Sequence, residues 1–165
     1  MTASANLSLL LFGPKDWPTT ITVVREQFPH VKQITTSELA AQIGTSAPPL
    51  IIDVRTKAEF DVSHLAGAIN AESTRDVQAA MERAPGRSAV LYCSVGYRSS
   101  AVAEKLVQRG IKNVVNLEGS IFAWANEGRP LVTDAVKDAQ PATLVHPYNA
   151  RWGKLLNRPL WSHEP

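Results

Sequence analysis

The sequence predicts an α/β fold, a parallel sheet with helices on both faces. Two observations carry that expectation. Short apolar runs alternate along the chain with stretches of helical periodicity, the pattern of successive βα units. The best of these runs, Leu50-Ile51-Ile52-Asp53-Val54, is continuously apolar up to its aspartate. A strand covered on both faces reads that way, whereas a strand with one wet face alternates. A length of 165 residues with 44% hydrophobic content suits one domain with a sizeable core and a terminal appendage.

The elements follow in order. Asp16 before Trp17-Pro18 reads as a helix start with proline in the first turn, and Trp17, Ile21, Val24 and Phe28 recur at helical spacing, predicting a helix over about Trp17 to Gln27. Pro29 stops it, because the residue before a proline is pushed out of helical geometry. Val31 to Ile34 is a short strand. Thr35-Thr36-Ser37-Glu38 matches a capping box ahead of Leu39 to Ile43, and Gly44 closes that helix. The further strands are Leu50 to Val54, Ala68 to Asn70, Ala89 to Tyr92 and Val114 to Leu117. The helices between them are Ser73 to Arg83, Ser99 to Arg109 with Gly110 as its stop, and Ser120 to Asn126 with Gly128 beyond. No internal repeat is visible. From Thr133 the chain turns polar and proline-punctuated, so residues 133–165 are read as an irregular tail, yet Tyr148, Trp152, Leu155, Leu156, Leu160 and Trp161 are too many large apolar groups for a solvated segment. The organisation is therefore an N-terminal extension with an amphipathic helix over 1–30, the α/β domain over 31–132 and the tail over 133–165. Leu7 to Phe12 is too short and too lightly flanked by basic residues for a membrane span or signal peptide, and it is read as docking on the domain.

Charge narrows the function classes. Seventeen basic against fifteen acidic residues leave a formal net charge of +2, too weak to argue for a nucleic-acid or membrane partner. The histidines at 30, 64, 146 and 163 are scattered singly, and no metal set or cofactor motif is visible. A single cysteine cannot form an internal disulfide; it stays free to react where thiols are kept reduced, which points to the cytoplasm.

That cysteine, Cys93, ends the run Ala89-Val90-Leu91-Tyr92 and precedes Ser94-Val95-Gly96-Tyr97-Arg98-Ser99-Ser100 and a helical pattern. A cysteine after an apolar run is as a rule a small core filler. Here, however, it stands at the carboxyl end of a strand, where parallel sheets place their ligands, as does Asp53. Gly96 permits the turn by accepting a positive φ, and amides from about residues 94 to 99 can then point inward at an anion. Such surroundings bring thiol pKa values to about 3.5–7.5. Arg98 at the rim adds a permanent charge suited to a dianion or stands solvated in the first turn, Ser99 or Ser100 could cap the helix, and Tyr97 either lines the pocket or lies exposed.

Taken together these residues resemble the rhodanese, or thiosulfate sulfurtransferase, homology domain over about residues 31 to 132. Asp53-Val54-Arg55 with Glu59-Phe60 is similar to the family's Asp-x-Arg segment. His64-Leu65-Ala66-Gly67-Ala68-Ile69-Asn70 is similar to its His-containing turn. Cys93 to Arg98 with Ser99 matches its six-residue active-site loop, and Glu118-Gly119-Ser120 through Trp124 to Pro130 matches its closing helix. Two positions depart from the family, Ser63 and Ser120 standing where glycine is common. The resemblance implies a three-layer domain on a five-stranded parallel sheet and ping-pong sulfur transfer. A small anionic donor such as thiosulfate gives its outer sulfur to Cys93, and a thiol or cyanide acceptor removes it. It also implies that Arg98 and the loop residues Ser94, Val95, Gly96, Tyr97 and Ser99 bind the donor, and that Asp53 and Arg55 form a polar pair near the site. The residues themselves read Asp53, Arg55 and His64 as ordering the loops.

Three other readings stay open. Related domains with one more loop residue act as phosphatases or arsenate reductases; four residues between Cys93 and Arg98 make a narrower ring, suited to a single sulfur atom. Rhodanese-like domains also serve as binding modules, typically after losing the cysteine that this chain keeps. Finally, the aromatic tail is a docking segment, a homodimer contact, or the seat of a protein that accepts the sulfur.

Overall fold

The computed structural model describes residues 13–134 and 139–163, so the expectation for Leu7 to Phe12 lies outside the described residues. Helix α1 (Trp17–Gln27) is capped by the Asp16 carboxylate, which accepts from the Thr19 amide at 2.8 Å. Strand β1 (Gln33–Ile34) is shorter than expected and leads into α2 (Thr36–Ile43), whose capping box between Thr35 and Glu38 is complete. Then come β2 (Leu50–Asp53), α3 (Lys57–Val62), β3 (Ile69–Asn70), α4 (Thr74–Glu82), β4 (Ala89–Tyr92), α5 (Tyr97–Gln108), β5 (Val114–Leu117) and α6 (Ser120–Asn126).

The five strands form an all-parallel sheet in the order β1-β5-β4-β2-β3. Every residue of β2 and β4 is buried, as the unbroken apolar runs require of strands sandwiched between helices. Alternate side chains divide between two cores. Leu50, Ile52, Ala89 and Leu91 pack on one face with Val24 of α1, Phe28 at its end, Val77 of α4 and Leu106 of α5. Ile51, Val90 and Tyr92 pack on the other with Leu39 of α2 and Ile121 and Phe122 of α6. The register sets Asp53 against Tyr92, so β2 and β4 end together and open their carboxyl ends side by side.

Helix α3 was not expected. It begins with a second capping box, Thr56 with Glu59, in a stretch too short to show periodicity. The residues after 132 also depart from an irregular tail. Strand β6 (Leu131–Thr133) pairs antiparallel with β7 (Gln140–Ala142), and 3₁₀ turns at Gly153–Leu155 and Arg158–Leu160 follow. Val145, Leu155 and Leu156 enter the second core, with Trp152, Leu160 and Trp161 packed against it. The chain's own domain thus buries Leu155 and Leu156 and partly covers Trp152, Leu160 and Trp161, while Tyr148 stays exposed. Among the described residues no helix is long and apolar enough to cross a membrane, and no cluster of three metal-ligating side chains forms.

Candidate active site

Strand β4 delivers Cys93 to the edge of the sheet, and Ser94-Val95-Gly96 turns the chain into α5. Gly96 makes the turn at φ +103°, and a Cβ there would meet Asn116 Nδ2 at 3.1 Å and the Leu117 carbonyl at 3.5 Å. Its amide donates to Cys93 Sγ at 3.2 Å. From the other side α6 fastens the loop: the Ile121 and Phe122 amides donate to the carbonyls of Cys93 and Ser94 at 3.2 and 3.1 Å. The Cys93 amide donates to Ser120 Oγ at 3.1 Å, and that hydroxyl in turn donates to the Leu117 carbonyl at 3.0 Å. Ser120 takes a positive φ of 51°, so the departure from glycine supplies a partner for a buried amide at the cost of some backbone strain.

One expectation is corrected here. Neither Ser99 nor Ser100 caps α5, because the helix starts two residues earlier, at Tyr97, with Gly96 as a cap that offers no side chain. The third amide of the helix, which a capping side chain normally takes, is that of Ser99, and it instead contributes to favouring the Cys93 thiolate. Both serines are buried; Ser100 Oγ accepts from Gln33 Nε2 at 3.3 Å.

The Cys93 thiol is 1% exposed. Burial pushes it up, but the Arg98 guanidinium, the hydroxyl and amide of Ser99 and the amide of Gly96 outweigh that cost, and the net shift is below the usual thiol value. The Ser99 hydroxyl completes no hydrogen bond with the surrounding protein groups and lies close enough to the sulfur to favour its anion.

Arg98 does not stand free. Its Nη1 and Nη2 donate to the Glu59 carboxylate at 2.9 and 2.7 Å, and Nη2 also donates to Ser94 Oγ at 3.0 Å. Glu59 is buried at the start of α3, where it also accepts from the Thr56 amide and hydroxyl at 3.1 and 2.9 Å. Burial works to raise its carboxyl, yet the hydrogen bonds and charge of Arg98, with the Thr56 amide and the Arg55 charge, hold it at about 2 against an ordinary 4.5. Glu59 entered the sequence reading only inside a family segment. The Thr56-x-x-Glu59 box was its local signal, and its reach to Arg98 had none.

A pocket of about 260 Å³ opens over the sulfur, lined by Cys93, Ser94, Val95, Tyr97, Arg98, Tyr148 and Trp152. Tyr97 therefore lines the pocket, its ring set edge-on to Phe28 with centroids 5.1 Å apart. Tyr148 brings its ring under Arg98, 4.7 Å from the guanidinium carbon to the ring centroid. Neither Tyr148 nor Trp152 was read as a site residue.

Asp53, Arg55 and His64 lie outside the pocket lining. Asp53 and Arg55 are wholly buried, with Arg55 Nη2 donating to Asp53 Oδ2 at 2.7 Å and to the Ser63 carbonyl at 2.7 Å. Asn70 Nδ2 donates to the Asp53 and Arg55 carbonyls at 3.2 and 2.8 Å, tying β3 to the same corner. His64 stacks on Phe60 at 3.7 Å, sets Nδ1 3.1 Å from the Phe60 carbonyl and pairs by backbone with Val132. This set braces the segment between β2 and β3 whose helix α3 carries Glu59.

Comparison with known proteins agrees with the geometry. The family model described as "Rhodanese-like domain" matches residues 35–127. The chain belongs to the rhodanese-like domain family. A sulfurtransferase of Allochromatium vinosum is 31% identical over 102 residues, covering 62% of this chain and 95% of that protein. A probable adenylyltransferase/sulfurtransferase, MoeZ, of Mycobacterium tuberculosis is 33% identical over 99 residues, but the match spans only 25% of its length. Among solved structures, a rhodanese-related protein of Thermoplasma volcanium superposes with a TM-score of 0.53 at 31% identity, covering 61% of this chain and 97% of that one. Thiosulfate sulfurtransferase of Pseudomonas aeruginosa superposes with a TM-score of 0.61 at 23% identity, covering 71% of this chain and 23% of that one, a likeness of fold. Membership in the rhodanese-like family and the sulfurtransferase relatives support sulfur transfer as the general chemistry.

Proposed function

We propose that this rhodanese-like protein carries sulfane sulfur on Cys93 as a persulfide, taking it from an anionic donor, thiosulfate being the simplest, and giving it to cyanide or a thiol. The observation that supports this most is the thiolate-favouring loop: a buried sulfur held by the Gly96 amide at 3.2 Å, with Arg98 and the uncommitted Ser99 hydroxyl beside it. In the first half-reaction the Cys93 thiolate attacks the outer sulfur of thiosulfate, the S–S bond of the donor breaks, and sulfite leaves with the bonding pair. In the second, cyanide or a thiolate attacks the terminal persulfide sulfur; thiocyanate or a new persulfide leaves and the Cys93 thiolate returns. The extra sulfur brings its charge to the same loop, so the donors that hold the thiolate serve the persulfide as well.

In this reading Ser94, Val95, Gly96, Tyr97 and Ser99 form the cradle, Arg98 faces the anionic end of the donor, and Asp53, Arg55 and His64 hold the supporting loops. The reaction requires no cofactor, and a reduced cysteine suits the cytoplasm. Mass spectrometry after thiosulfate treatment is expected to show one added sulfur on Cys93, and thiosulfate with cyanide is expected to yield thiocyanate. Cys93→Ser is expected to abolish both. Full activity in that variant, or no adduct on a folded wild type, overturns the proposal.

A further inference from the structure

Two walls of the Cys93 pocket come from the C-terminal segment, beyond the residues that the family model matches. We infer that Tyr148 and Trp152 make this site selective for an organic sulfur donor, a monoanion bearing an apolar group such as an aryl thiosulfonate, over inorganic thiosulfate. The inference rests on the persulfide reading above and names its substrate class.

Charge supplies the first argument. Thiosulfate brings two negative charges, and the pocket offers one guanidinium that is already bound two-fold by the buried Glu59 carboxylate. With Cys93 ionised, two protein anions face that one cation, so a donor with a single charge meets less repulsion. Shape supplies the second. A pocket of about 260 Å³ is many times the roughly 10–15 Å³ of such space that one water needs, more than a small inorganic anion fills. The surplus space is bounded by the apolar and aromatic side chains of Val95, Tyr97, Tyr148 and Trp152.

The third argument is that the wall is held in place. Tyr148 has a positive φ of 66°, a conformation a tyrosine adopts only when its surroundings dictate it. Its amide donates to His146 Nδ1 at 3.0 Å, and the Trp152 amide donates to Asn149 Oδ1 at 3.0 Å. Behind them Val145 is wholly buried and bridges to Trp161, with its amide donating to the Leu160 carbonyl at 2.7 Å. The segment presents a fixed aromatic surface beside the sulfur.

The step balances. The Cys93 thiolate attacks the outer sulfur of R–SO₂–S⁻; the S–S bond breaks and R–SO₂⁻ leaves with the bonding pair, so thiolate and thiosulfonate become persulfide and sulfinate, two negative charges on each side. Thiocyanate release is to be measured with cyanide as acceptor and benzenethiosulfonate, methanethiosulfonate or thiosulfate as donor. For the wild type kcat/KM is expected to favour benzenethiosulfonate over each of the others by roughly tenfold. In Tyr148→Leu and Trp152→Leu the aryl-to-methyl ratio is expected to fall several-fold, a ratio read within each enzyme and so independent of how much of it is active. Should both variants fail to fold, inhibition of the wild type decides: benzenesulfinate is expected to compete roughly tenfold more strongly than methanesulfinate. A wild-type ratio near one, an unchanged ratio in folded variants, or equal inhibition by the two sulfinates overturns the inference and leaves sulfur transfer standing. No sulfur on Cys93 from any donor overturns the persulfide reading itself.

Discussion

Cys93 is where burial and charge oppose each other. Burial favours the neutral thiol, and the helix-entry amides, Ser99 and Arg98 favour the anion and prevail. The consequence concerns pH: a lowered folded-state pKa keeps the thiolate populated below the range in which a free thiol has already protonated, and the sulfur uptake proposed for it is expected to fade only further down. Arg98→Ala removes the attracting cation and leaves the Glu59 carboxylate unpaired nearby, so both changes raise the thiol. The expected result is a titration displaced to higher pH, read from the pH dependence of iodoacetamide alkylation. An unmoved titration would show that the loop amides suffice. At this scale the sequence was legible where one loop carries the proposed chemistry: Cys93, Gly96 and Arg98 are neighbours in the chain. Glu59 was not, because its partnership with Arg98 spans 39 residues and no local pattern encodes it.

At the scale of elements, two helices hold the loop from opposite sides. Helix α5 aims its first amides at the sulfur, and α6 clamps the Cys93 and Ser94 carbonyls. The geometry depends on the left-handed turn at Gly96. Gly96→Ala places a Cβ against Asn116 in a conformation unfavourable for any L-residue, and is expected to cost about 1–2 kcal/mol in urea unfolding and to slow sulfur loading. Stability and loading equal to the wild type would refute the role given to this turn. Most of these elements could be read in advance, since apolar runs and capping boxes act over a few residues. The exceptions are instructive. Helix α3 has too few turns to show a period, and the start of α5 was misplaced because Gly96, not a serine, stands at its N-cap, with its amide on the Cys93 sulfur.

Across the whole molecule, the C-terminal segment closes the second core and supplies the far wall of the pocket. If that is its part in the fold, Leu156→Ala is expected to cost about 2–5 kcal/mol in urea unfolding, as for a core leucine. A loss below about 0.5 kcal/mol, as at an exposed site, would show that the segment is only loosely applied.

By itself the sequence determined the parallel α/β sheet, the family and the position of the loop on which the proposed chemistry rests, because strand burial, helix capping and a Cys-x-x-x-x-Arg turn are each written in nearby residues. Tertiary structure alone decided what surrounds the sulfur. The pairing of Glu59 with Arg98 and the placement of Tyr148 and Trp152 over Cys93 join residues far apart in the chain. Such contacts depend on how strands are ordered and how a tail is folded back, and neither leaves a periodic or local trace.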